Sequence, residues 1–311
     1  MAPISLRPGQ FTDLEALVAL QIADDVADYG APQGRSVAAE HARWQALDPQ
    51  HDTWVAATAP QERIGYAFLA PQLRDSGAIA WYQAYVLPAA RTADLYQALL
   101  GPAEARFQTW APGGVRRVLR AVATNPVAAQ TYAAAGYRAG PAFQTMQICL
   151  TDAPRPRAPA GITLQPFVPE QDNQAAYTAD EEASTDKGYA RPLTYAEWVA
   201  RLGIYGPPDP AFWFLAREAG AVVGGVYSEI DAARMVGVIH HIGVRRRWRH
   251  RGIGRALLLQ AFAALWAREV RTIILDVDAA SPTGAPRVYA QAGMHTIGTR
   301  SLYLKEWAGP G

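Results

Sequence analysis

The stretch with the most chemistry in it reads Arg249-His250-Arg251-Gly252-Ile253-Gly254-Arg255-Ala256. It joins a β-branched segment, Val238 to Val244, to a helix pattern that carries Leu258, Phe262, Leu265 and Trp266 on one face. Glycines at a helix start leave backbone N–H groups uncovered, and their partial positive charge adds to that of the helix terminus, so such a turn can hold phosphate oxygens. Spacing excludes two other glycine-rich phosphate binders. A P-loop ends in Gly-Lys-Ser/Thr, which is missing, and the dinucleotide fingerprint needs Gly or Ala where Leu257 stands. A basic helix cap with no ligand is the plain alternative.

The elements that must position this turn form a pattern that occurs twice. A Pro/Ala/Arg segment, 151–161, with Pro154, Pro156 and Pro159, disfavours helix and ladder alike and predicts a connector. On each side come a short alternating strand (Ile4 to Arg7; Ile162 to Gln165), a polar helical region, and strands joined by turns. These are Trp54 to Ala57, Arg63 to Ala70 and Ala78 to Val86 in the first half, and Ala211 to Arg217, Ala221 to Glu229 and Met235 to Val244 in the second. Each third strand feeds a helix, a further strand (Val118 to Ala123; Thr272 to Val277) and a short helix closed by Gly136 or Gly293. The expected class is α/β, with an α+β mixed sheet built twice. At roughly 150 residues per domain the 311 residues suit two domains, expected at 1–150 and 162–311 with 151–161 as linker.

The order strand, Arg-x-x-Gly-x-Gly-x-Ala, amphipathic helix, strand ending near Asp278, then Ser281 to Met294 with Tyr289 and Gly293, resembles the GNAT family of acyl-CoA-dependent N-acetyltransferases. The resemblance covers about Ile162 to Glu306, with Ser281 where the family usually has Asn. It implies two tandem GNAT-like acyl-CoA N-acyltransferase domains, a layout similar to that of mycothiol-synthase-like acetyltransferases. It also implies acetyl-CoA as acyl donor, lying between the fourth and fifth strands of the second domain. Ile242 and Val244 of the fourth strand, the turn residues Arg249, Arg251, Gly252, Ile253, Gly254 and Arg255, and Ser281 are then the expected cofactor-binding residues, with the acetyl carbonyl on a strand amide near Ile242.

Acetyl transfer to an amine needs a deprotonated amine, a stabilised oxyanion and a protonated leaving thiolate. Tyr289, with a reference pKa near 10 against about 8.5 for a thiol, keeps its proton at neutral pH and is the expected general acid. The family's frequent strand-four Glu falls on Val238 here. His240, two residues on and so expected on the same face, is the candidate base; its reference pKa of about 6.5 suits proton acceptance at pH 7. His241 is expected on the opposite face, hydrogen-bonded in the core. Asp180, Glu181, Glu182 and Asp186 are expected either to attract a cationic amine as the acceptor wall or to form a solvated helix face. Tyr189, Tyr195 and Trp198 add aromatic surface nearby, Trp198 as core.

In the first half, Arg91 falls where Arg249 lies in the second, but Asp94 and Tyr96 replace both glycines. A carboxylate there repels pyrophosphate, and a Cβ blocks close backbone approach. Asn125, Tyr132 and Gly136 nevertheless keep the later motif. The first half is therefore expected to be a degenerate sister domain and the second the catalytic one.

Half the residues are hydrophobic and 18% are charged, which excludes a disordered chain. A net charge of +1 gives no bulk attraction to nucleic acid or an anionic membrane, and the basic run Arg245, Arg246, Arg247, Arg249 and Arg251 has only Trp248 interleaved. Cys149 is the single cysteine, so there is no intramolecular disulfide, no zinc ligand set is apparent, and no metal is expected. Residues 1–20 lack a signal-peptide pattern and no run of about 18 apolar residues occurs, so a soluble cytoplasmic protein is expected. The expected function is direct acetyl transfer from acetyl-CoA to a small-molecule amine in a ternary complex, by a monomer or homodimer. The alternative is a catalytically silent acyl-CoA-binding regulator that keeps the cradle.

Overall fold

The computed structural model of the chain describes residues 4–59, 62–74, 77–185, 193–202, 209–232 and 234–307. Its contacts form two compact units, Met1–Phe143 with Gly298–Gly311, and Gln144–Ile297. They are not the two contiguous halves expected from the linker. The strand that closes each half is divided: β6 (Arg138–Cys149) enters the second unit from Gln144 on, and β12 (His295–Trp307) enters the first from Gly298 on. Residues 151–161 carry neither helix nor strand.

The first unit holds β1 (Ser5–Arg7), β2 (Thr53–Ala59), β3 (Glu62–Arg74), β4 (Gly77–Val86) and β5 (Arg117–Ala123). Its sheet runs β1-β2-β3-β4-β5-β12-β6. β4 and β5 are parallel, from Ala78↔Arg117 to Gln83↔Val122, and β12 lies antiparallel to β5 from Ser301↔Ala123 to Trp307↔Arg117. Helix α1 (Leu14–Tyr29) contacts β3 and β4, and α2 (Val37–Gln45), capped by the Ser36 hydroxyl, packs on α1. After α3 (Pro49–Asp52), α4 (Ala93–Trp110) crosses from β4 to β5 and α5 (Pro126–Ala134) follows β5.

The second unit runs β6-β11-β10-β9-β8-β7, with β7 Ile162–Pro166, β8 Trp213–Glu218, β9 Ala221–Asp231, β10 Val236–Val244 and β11 Thr272–Asp278. Its helices are α6 (Asn173–Ser184), α7 (Tyr195–Leu202), α8 (Ile253–Trp266) and α9 (Ala285–Gln291). Helix α8 buries Leu257, Leu258, Ala261, Phe262 and Leu265 against Ile239, Ile273, Leu275 and Val277. Each large side chain so buried contributes about 1.5–3 kcal/mol. Gly237 admits this helix, because a Cβ there would lie 2.6 Å from Leu265 Cδ1. Trp266, expected on the buried stripe, is only half-buried and carries the Arg271 guanidinium 3.6 Å above its ring. Among the described residues, no helix is long and apolar enough to cross a membrane.

Candidate active site

The parallel pairing of β10 with β11 lasts only from Val236↔Thr272 to Ile239↔Leu275. Beyond Ile239 this ladder ends and the strands part, with Ile242 and Val244 on the unpaired stretch of β10, partly buried against the core. At the far end of β10 the chain turns through Arg246–Trp248 into α8. The first hydrogen bond of α8 runs from Ala256 N to Gly252 O, so the N–H groups of Ile253, Gly254 and Arg255 point out of the helix start. Gly252 has φ 77°, left-handed backbone that glycine adopts without strain. His250, at φ 60°, adopts the same region at a cost of about 1–3 kcal/mol, and such strain is held where the surrounding structure fixes a functional turn. A Cβ on Gly254 would sit 3.8 Å from Val244 Cγ2 and 4.0 Å from Val288 Cγ1, so β10, the helix start and α9 converge at this glycine.

The arginines of the turn are engaged with the protein. Arg249 donates from Nε to Val244 O at 3.0 Å and from Nη2 to Ala183 O at 3.1 Å, tying the turn to β10 and to the end of α6. Arg251 and Trp248 Nε1 each reach Glu218 at 2.6 Å, and these two donors hold the Glu218 carboxyl below its ordinary range. Arg255 is exposed. The Ser281 hydroxyl lies 3.0 Å from the Thr283 hydroxyl, in a turn that ends at Gly284 with φ 68°. Tyr289 on α9 is 7% exposed and packs in the core cluster that holds Ile253 and Leu257. Burial pushes its phenol well above the ordinary value.

The two histidines do not follow simple alternation. Ile239 pairs with Ser228 and His241 with Tyr227, so His240 is the extra residue of a β-bulge. One extra residue reverses the phase of every side chain after it. Val238, opposite Glu229, and His241, opposite Tyr227, therefore share a face, which corrects the expectation that His241 turns to the opposite face, while His240 meets the Glu229 that stands opposite Val238. His241 is enclosed: Nε2 contacts Asp180 Oδ1, its ring stacks on Tyr227 at 6.4 Å, and Asp180 Oδ2 accepts from Trp198 Nε1 at 2.8 Å. His240 Nε2 lies 3.0 Å from Glu229 Oε1, with side chains only 9% and 11% exposed.

Glu229 was missed from the sequence. Its signal is a carboxylate set two residues after Tyr227 in a strand otherwise apolar from Val222 to Ile230, broken only by Ser228.

The described members of the acidic run each have a partner in the protein. Asp180 is buried against His241 and Trp198, Glu181 accepts from Leu193 N at 2.9 Å, and Glu182 pairs with Arg245 at 2.6 Å. Asp186 and Tyr189 lie outside the described residues. Trp198 is 1% exposed and is core, while Tyr195 stacks on it from a more exposed position.

The corresponding region of the first unit is filled. Tyr96 is buried in the first turns of α4, its ring edge-on to Tyr132, and its hydroxyl accepts from Asn125 Nδ2 at 2.8 Å. Asn125 also caps α5 through Ala128 N. The Val86 amide at the end of β4 donates to Asp24 Oδ1 at 3.3 Å, and Arg91 pairs with Asp24 at 2.8 Å and Asp28 at 2.7 Å.

Two parallel strands that part beside an uncapped helix start define an α/β protein with room for an anion-bearing ligand, and comparison with known proteins gives it a family. Residues 172–294 match the Acetyltransferase (GNAT) family. The chain is 31% identical to a GCN5-related N-acetyltransferase of Sphaerobacter thermophilus of known structure, with a TM-score of 0.82 over 100% of this chain and 98% of that one. A tandem GNAT protein from the clavulanic acid biosynthesis pathway shares the fold at 18% identity, with a TM-score of 0.68 over 99% of this chain and 100% of that one. Among curated relatives, the mycothiol acetyltransferase of Streptomyces bingchenggensis is 31% identical over 50% of each chain. That of Streptomyces scabiei is 30% identical over 68% of this chain and 66% of its own. The matched segments thus span between half and about two thirds of those relatives' lengths. The chain belongs to the GCN5-related N-acetyltransferase (GNAT) family.

Proposed function

We propose that this protein transfers an acetyl group from acetyl-CoA directly to a small-molecule amine in a ternary complex, with catalysis in the second unit and the first as a degenerate sister domain. The carrying observation is the contrast between the two strand gaps. In the second unit the gap after Ile239 is bordered by Gly252, Gly254 and outward N–H groups, whereas in the first Tyr96, Asn125 and Asp24 fill the corresponding place. The donor set of the second suits a pyrophosphate: backbone N–H groups at a helix start, no carboxylate in the turn, and a glycine where a side chain would intrude. Glu218, which reaches the turn from β8, accepts from Arg251 and Trp248.

Acetyl-CoA, when bound, supplies an activated thioester. Gly252 to Arg255 would hold its pyrophosphate through their amides, and the parted end of β10 near Ile242 and Val244 would align the acyl arm. Tyr289 remains a neutral phenol at working pH, because burial raises it, and so is always able to donate a hydrogen bond toward sulfur. With its pKa above that of a thiol, complete proton transfer to a thiolate is uphill, so its main contribution is hydrogen-bond donation as charge develops there. His240 accepts the amine proton. A cationic acceptor has no support from Asp180, Glu181 and Glu182, since each is already engaged.

The test is thiol release from acetyl-CoA across a panel of primary amines. Release that depends on one class of amine supports an enzyme; saturable acetyl-CoA binding with no transfer to any amine favours the silent regulator.

A further inference from the structure

We propose that Glu229 is a positioning residue that acts through His240, so that the two form a carboxylate–imidazole dyad on neighbouring strands. The inference rests on the reading of His240 as the base, and three observations carry it. Val238, which stands where the family's strand-four carboxylate is frequent, is paired across β9–β10 directly with Glu229. Directly opposed residues of an antiparallel pair have Cβ atoms about 4.5–5.5 Å apart, so a carboxylate is returned to the vicinity from the adjacent strand. The bulge then brings His240 to it, with Glu229 Oε1 at 3.0 Å from Nε2.

A carboxylate against Nε2 favours the tautomer with the proton on that nitrogen, which makes Nδ1 the basic one, and it stabilises the imidazolium formed when the amine proton is taken. Side chains so nearly buried are poorly screened, so the pairing is stronger than a surface ion pair. Several other ionisable groups on the elements around β10 have partners of their own. Asp180 of α6 contacts His241, Tyr227 of β9 stacks on His241, Asp276 of β11 accepts from Thr145 at 2.7 Å, and Tyr289 of α9 stays neutral. Asp231, at the end of β9, is in reach of Arg234 at 3.7 Å.

The test needs no acceptor. The full chain is labelled with ¹⁵N-histidine, and the His240 ring resonances are assigned by their loss in His240→Gln and followed through pH. In Glu229→Gln the His240 midpoint should fall by about one unit or more and the Nε2-protonated tautomer should lose its dominance; Glu229→Asp should recover part of both. An unmoved His240 midpoint in Glu229→Gln, with His241 still showing its native shift as the check on folding, overturns the dyad, and so does loss of thermal stability without a change in the titration. A normal dyad titration in a protein that acetylates no amine would defeat the proposed function and leave the dyad standing.

Discussion

The Tyr96 hydroxyl accepts a hydrogen bond from Asn125 Nδ2 at 2.8 Å, spanning from the helix after β4 to the helix after β5. Tyr96 stands at the place in the first unit that Gly254 holds in the second, counting each from Arg91 or Arg249. A glycine there leaves β10, α8 and α9 meeting around an open turn, whereas a tyrosine there closes the turn with a packed ring. This register position is one of those at which the two units differ, beside Asp94 where the second unit has Gly252.

Calorimetry should therefore find one acetyl-CoA per chain. Gly252→Asp places a carboxylate in the cradle and a Cβ at φ 77°, and should remove saturable binding. In the other unit Tyr96→Ala should cost about 3 kcal/mol of stability in urea titrations while adding no second site, because Asp94 and the Asp24–Val86 contact remain. Two sites in the wild type, or one surviving in Gly252→Asp, would reverse the assignment of roles.

Tyr289→Phe keeps the ring in its core cluster and removes only the hydroxyl. Turnover should fall by about 100-fold, with acetyl-CoA affinity nearly unchanged. Because burial raises the phenol, no alkaline decline assignable to Tyr289 should appear below about pH 10. An alkaline limb near pH 8 that vanishes in the Phe variant would contradict this.

The two neighbouring histidines should separate cleanly. His240→Gln should depress turnover most near neutral pH and less in alkali, where the amine deprotonates unaided, with little effect on acetyl-CoA affinity. His241→Gln breaks a buried pair with Asp180 and should instead lower unfolding stability by about 3 kcal/mol. Equal kinetic losses from both, without destabilisation, would show that the enclosed histidine takes part in proton transfer.

Two buried carboxylates of the first unit should give opposite pH responses. Burial raises Asp13, but hydrogen bonds from Arg7, the Gln10 amide and Arg63 outweigh it and hold its carboxyl down at about 2. Its folded value lies below the unfolded one, so its contribution is complete above about pH 4 and is lost as pH falls toward 2. Burial raises Asp24 to about 6 in spite of Arg91. Its folded value lies above the unfolded one, so its contribution is present below about pH 4 and is lost as pH rises through 6. Urea midpoints against pH should show Asp13→Asn flattening the acid side and Asp24→Asn flattening the span from pH 4 to 6; exchanged effects would refute the assignment.

The strands, the helix stripe of Leu258, Phe262 and Leu265, and the glycine turn were legible because each is written in local periodicity or in residues of special backbone freedom. The phase of His240 and His241 was not. A bulge without glycine leaves no mark in the alternation of a strand whose neighbours, Ile239 and Ile242, are apolar on either count. Glu229 escaped for a related reason: its importance lies in which residue it faces, and register is a property of two strands together. The acidic run around Asp180 looked like a surface because charge is usually solvated; its partners, His241, Leu193 and Arg245, lie between 12 and 63 residues away and could not be paired with it by spacing.

The pairing of β12 with β5 also sets an order of events during synthesis. The stretch Ser301–Trp307 of β12 pairs with β5, which was made some 180 residues earlier, from Arg117 to Ala123. Domains ordinarily fold in the order in which they leave the ribosome. Here the first unit, though begun first, cannot lay down its β5 partner until β12 has been released, so the second unit, whose β7 to β11 lie in one continuous stretch ahead of β12, can pair those strands before the first unit gains its β5 partner.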